Sequence, residues 1–100
     1  MAKVEPTPLD WIMLRREDVK SVLDAHGLAN ARVVGWAGAG KDLPGPAEIQ
    51  ADFALATDLT SGDLARLDRE LSTIVGLEIV VWAVRPGEGK VLPGEKIRYL

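Results

Sequence analysis

ARVVGWAGAGKDLPGPAEIQADFALAT, residues 31–57, decides the fold, because it sets two extended segments on either side of a glycine- and proline-rich break. Ala31 to Ala37 carries the adjacent Val33 and Val34 and suits a strand. Residues 38–48 hold three glycines and two prolines and read as loop. Ile49 to Thr57 alternates, with Ile49, Ala51, Phe53 and Leu55 on one side and Gln50 and Asp52 on the other, the pattern of a half-buried strand. A loop so short and so rich in proline leaves no room for a crossover helix, so the two strands are expected to run antiparallel.

Working outward, Thr60 followed by Asp63 has the spacing of a helix capping pair. Leu64, Leu67, Leu71 and Ile74 continue as a buried stripe, and Gly76 ends the helix. Leu77 to Val84 (LEIVVWAV) is β-branched and nearly continuous, which predicts a strand in the middle of its sheet. On the N-terminal side, Val19, Val22, Leu23 and His26 mark one face of a helix within Leu9 to His26, stopped by Gly27. Pro86-Gly87 and Pro93-Gly94 bracket a second loop, and residues 97–100 close the chain. The order predicts an α+β domain over residues 9–100, a mixed sheet of three or four strands with helices on one face. Residues 1–8, with Pro6 and Pro8, read as a loose tail.

Bulk properties narrow the function classes. A chain of 100 residues with 47% hydrophobic and 27% charged residues is composed as one small globular domain. It has no cysteine, hence no disulfide or thiol chemistry. No apolar run approaches the roughly 20 residues of a membrane span, and Met1 to Pro8 lacks a signal-peptide pattern, so the expected location is cytoplasmic. A net charge of −3, with Arg15, Arg16 and Lys20 interleaved with Glu17 and Asp18, argues against direct nucleic-acid binding.

Gly35 to Lys41 fits G-x-x-x-x-G-K, the lettering of a phosphate-binding loop. That loop needs a Ser or Thr hydroxyl after the lysine and a helix to follow it. Here Asp42 stands at the hydroxyl position, and Pro44, Gly45 and Pro46 exclude the helix.

The helix–strand–loop–strand–helix–strand order, with a glycine closing the first strand and acidic residues on the second, resembles the minimal nucleotidyltransferases of the polymerase-beta-like superfamily. The family pattern is a Gly-Ser pair, about ten residues, Asp-x-Asp on the second strand, and a third carboxylate on a later one. On that resemblance, which spans residues 14–100, Gly35 matches the glycine and Trp36 replaces the serine at the nucleotide-binding position. Gln50 and Asp52 take the Asp-x-Asp positions, so the first carboxylate has become an amide, and Glu78 falls at the third. Ile97 to Leu100 also looks like the family's ending.

The chemistry implied by the resemblance is transfer of AMP with two Mg²⁺ ions about 4 Å apart, bridged by acidic side chains. Gln50 offers only a neutral oxygen, and Trp36 brings bulk where the triphosphate would be held. Asp52 and Glu78 are then vestigial catalytic and metal positions, no cofactor is expected, and Mg²⁺ enters only if the site functions. Read alone, the same two carboxylates are ordinary solvent-facing strand residues. Members of the family typically serve as antitoxins beside a small all-helical toxin, often a HEPN-type ribonuclease, and active members transfer AMP to a toxin tyrosine. The resemblance therefore implies a degenerate antitoxin that binds its toxin in a hetero-oligomer, with Trp36, Trp11 and Met13 as candidate partner-binding residues. Two alternatives stand beside it. One is an active transferase in which Glu48, two residues before Gln50 and on the same side of the strand, supplies the missing ligand. The other is an orphan regulatory domain of the same fold.

Overall fold

The computed structural model describes residues 6–53, 59–86 and 97–100. Its elements are α1 (Pro8–Leu14), α2 (Arg16–Ala25), β1 (Leu28–Val34), α3 (Gly35–Gly38), β2 (Ala47–Phe53), α4 (Ser61–Val75), β3 (Ile79–Val84) and β4 (Arg98–Tyr99). The four strands form one mixed sheet in the order β3-β2-β1-β4. As the short loop requires, β1 and β2 pair antiparallel; β2 and β3, separated by α4, pair parallel.

Helices α2 and α4 lie on one face of the sheet, over a core of Val19, Leu23, Val33, Ile49, Ala51, Leu67, Leu71, Ile79 and Val81. Each large side chain of that set contributes on the order of 1.5–3 kcal/mol by leaving water. Alternation puts Ile49 and Ala51 in this core, and Glu48, Gln50 and Asp52 on the opposite face. Thr60 and Asp63 form the expected capping box on α4, and Gly76 caps its C-terminus in a left-handed conformation (φ 85°). His26 ends α2, its Nδ1 lying 2.9 Å from the Val22 carbonyl oxygen.

Several expectations need correction. The strand predicted over 31–37 covers 28–34, and residues 35–38 make a helical turn, because Gly35 adopts φ +66° and turns the chain out of the sheet. The second strand starts at Ala47 rather than Ile49, tied by its N–H to the Glu78 carbonyl oxygen at 2.9 Å. Its predicted extension to residue 57 passes beyond the described residues, as does the loop bracketed by Pro86-Gly87 and Pro93-Gly94. The single helix over 9–26 is two, broken at Arg15. Thr7 and Pro8 are not tail: they cap and open α1, and Pro8 is buried; residues 1–5 lie outside the described set.

β3 is an edge strand, not a central one. Its apolar run is explained by α4, which also closes the outer edge. The Ile79 N–H donates to Ser72 Oγ (2.9 Å), and the Val81 N–H donates to Asp68 Oδ1 (2.7 Å). Side chains of the covering helix thus supply the partners that a further strand would provide.

Candidate functional site

The face of the sheet opposite α2 and α4 carries the candidate residues, and a bulge in β1 arranges them. Ala29 lies opposite Asp52 and Arg32 opposite Gln50, so two residues of β1, Asn30 and Ala31, face the single Ala51 of β2. Asn30 absorbs the extra residue with φ +53°, a left-handed conformation that asparagine tolerates better than most side chains. Without the bulge, Ala31 would lie opposite Gln50 and Arg32 would point to the core.

Arg32 is 6% exposed, the one charged residue buried among those described. Its Nε and Nη2 donate to Gln50 Oε1 at 3.1 and 2.7 Å. Nη1 donates to Asp52 Oδ1 at 2.8 Å and to the Asn30 carbonyl oxygen at 2.9 Å. Asn30 Nδ2 in turn donates to Asp52 Oδ2 at 3.1 Å. Burial works to raise the Asp52 pKa, but the hydrogen bonds from Asn30 and Arg32 and the arginine's charge outweigh it and hold the carboxyl below its usual value.

A second group sits at the other end of the face. Gly35 approaches β2 so closely that a Cβ there would lie 2.8 Å from Glu48 Oε2. Glu48 Oε1 accepts from Trp82 Nε1 at 3.2 Å. Trp82, opposite Gln50 on β3, is 52% exposed. Glu78 immediately precedes β3, two residues before Val80, the register partner of Glu48.

The candidate carboxylates are therefore divided. Asp52 lies opposite Val84, six residues beyond Glu78, or about 20 Å along an extended strand. Asp52 and Glu78 cannot share an ion. Glu48 is the carboxylate near both Gly35 and Glu78. A Mg²⁺ pair does not fit Gln50 and Asp52, because the Arg32 guanidinium fills the space between them. Among the described residues, no three of His, Asp and Glu are grouped to hold a metal.

The partner-binding candidates also separate. Trp36 is half-buried and packs against the core, and Met13 is half-buried, while Trp11 is 43% exposed. Sequence reasoning missed Arg32 and Trp82. The signal for Trp82 was its alternation with the outward Glu78, masked by the apolar run around it. A cleft of about 450 Å³ between α2, β1 and the chain end is lined by Lys20, Asp24, Asn30 and Tyr99. It contains none of Gly35, Glu48 or Glu78.

Two predictions follow from this geometry. Gly35→Ala meets a left-handed backbone and the carboxylate end of the Glu48 side chain, which can swing away, so it should cost about 1–2 kcal/mol by chemical denaturation, most of it from the backbone; Gly40→Ala, where a Cβ meets nothing within 4 Å, isolates the backbone share of that cost. The second concerns pH. A carboxyl whose folded-state pKa is depressed adds stability that is present above its unfolded pKa, near 4, and lost as pH falls through the folded value. Denaturation midpoints should therefore drop below about pH 4, and Asp52→Asn should flatten that drop. Asp63 adds to the same loss, since the backbone and side chain of Thr60 lower its pKa; Asp63→Asn separates the two.

No protein-family model matches the chain, and no curated protein matches it. A solved structure described as "putative minimal nucleotidyltransferase" superposes with a TM-score of 0.63 over 82% of this chain and 81% of that one, at 24% identity. The chain has a nucleotidyltransferase-like fold.

Proposed function

We propose that this chain is a catalytically silent member of the nucleotidyltransferase fold that acts by binding, as the antitoxin of a small helical toxin of the HEPN-ribonuclease type. The observation that carries the reading is Arg32 bound to Gln50 and Asp52. Nucleotidyl transfer needs anionic oxygens free to hold cations on that strand, and here Asp52 is neutralised from within the chain while Gln50 brings no charge, which leaves Glu48 as the strand's carboxylate without an ion pair among the described residues. A second observation supports binding: exposed aromatic surface at Trp82 and Trp11, the residue type enriched at interface hot spots. Cytoplasmic action is part of the proposal, and no described helix is long and apolar enough to cross a membrane.

One observation favours a different reading. Glu48 lies beside Gly35 and at the Glu78 end of the sheet, the arrangement that a Mg²⁺-dependent AMP transferase using Glu48 in place of Gln50 would need. Co-expression separates the two. If binding alone neutralises, growth inhibition by the toxin encoded beside this chain is relieved equally by the wild type and by a Glu48→Gln, Glu78→Gln variant. Relief that disappears in the double variant, while the complex persists, establishes the transferase. If the neighbour neither inhibits growth nor binds, the antitoxin assignment is wrong and only the fold stands.

A further inference from the structure

We propose that the Arg32 guanidinium is a built-in cation, seated in an oxygen cradle that takes a metal ion only once that guanidinium is removed. The cradle is the Asn30 carbonyl oxygen, Gln50 Oε1 and Asp52 Oδ1, all within 2.7–3.1 Å of guanidinium nitrogens. Carbonyl, amide and carboxylate oxygens are also the ligands that hard cations use. The arrangement is built rather than incidental. The β1 bulge and the left-handed Asn30 both serve to bring Arg32 and the Asn30 carbonyl to this point. Asn30 also fixes the second oxygen of Asp52.

Arginine stays charged at every physiological pH and cannot dissociate as a metal can. The face between β1 and β2 is therefore held in one state, independent of Mg²⁺ supply, and any partner docking there meets the same surface with or without chelator. This inference rests on the fold and the side-chain geometry, not on the antitoxin reading, so either can fail without the other.

Trp82 provides the test, because it lies opposite Gln50 on the same face and can pass excitation energy to a nearby terbium ion. The purified chain and an Arg32→Ser variant, which keeps Asn30, Gln50 and Asp52, are titrated with Tb³⁺ under indole excitation, with melting temperatures followed in parallel. The wild type should show only weak, non-saturating emission. The variant should bind at least about tenfold tighter, be displaced by Ca²⁺, and melt at a higher temperature with the ion than without it. Adding Trp82→Phe to the variant should remove most of the emission and leave the thermal shift. Equal binding by wild type and variant overturns the proposal, as does emission that survives Trp82→Phe. If the variant is unfolded without metal, recovery of its structure on adding Tb³⁺ supports the cradle, and failure to recover overturns it.

Discussion

Arg32→Ala is expected to destabilise the chain by about 2 kcal/mol, since removing one partner of a partly buried ion pair leaves the Asp52 carboxylate and the Gln50 amide without their donors. The side chains of Arg32 and Asp52 are 8% and 14% exposed, so water screens the pair poorly. Gln50 loses its donors in the same step, and the bulge loses the contact that ties the Asn30 carbonyl. For a 100-residue domain of ordinary stability this is a large fraction of the total. Arg32→Ala combined with Asp52→Ala should cost less than Arg32→Ala alone, because the stranded carboxylate is gone. Urea denaturation of the four proteins of that cycle measures the coupling directly. A single-variant loss below about 1 kcal/mol would mean that the network is a solvated surface pair.

The second large effect concerns the partner. Trp82→Ala should weaken a toxin complex by about 2 kcal/mol, roughly thirtyfold in Kd, if Trp82 anchors an interface of ordinary size. Its half-exposed ring contributes little to the core, so the variant should melt close to the wild type. Trp36→Ala should behave in the opposite way, with a clear loss of stability and a smaller change in affinity, because that ring packs against the core. Trp11→Ala tests the other exposed aromatic. Isothermal titration and thermal melts on the three variants distinguish an anchor from a packing residue.

The two expectations differ in how far the sequence could supply them. Thr60, Asp63 and Gly76 were legible because caps are local, set by spacings of three or four residues. The inward Ile49 and Ala51 and the outward Gln50 and Asp52 were legible for the same reason, a period of two within one strand. The Arg32 network was not. It depends on an extra residue in β1, and a bulge leaves little trace in periodicity beyond an asparagine able to adopt positive φ. Nor was the separation of Asp52 from Glu78, which is a matter of register between strands joined through a fifteen-residue helix. The edge position of β3 was hidden because coverage by α4 gives an edge strand the apolar run of a central one.

Neutralisation by binding, without nucleotide transfer, is tested most directly by intact-mass spectrometry of the toxin co-purified with this chain from cells supplied with Mg²⁺ and ATP. The account predicts a stable stoichiometric complex in which the toxin has its unmodified mass. A toxin carrying an added adenylyl group, lost when Glu48 and Glu78 are replaced by glutamine, would contradict it.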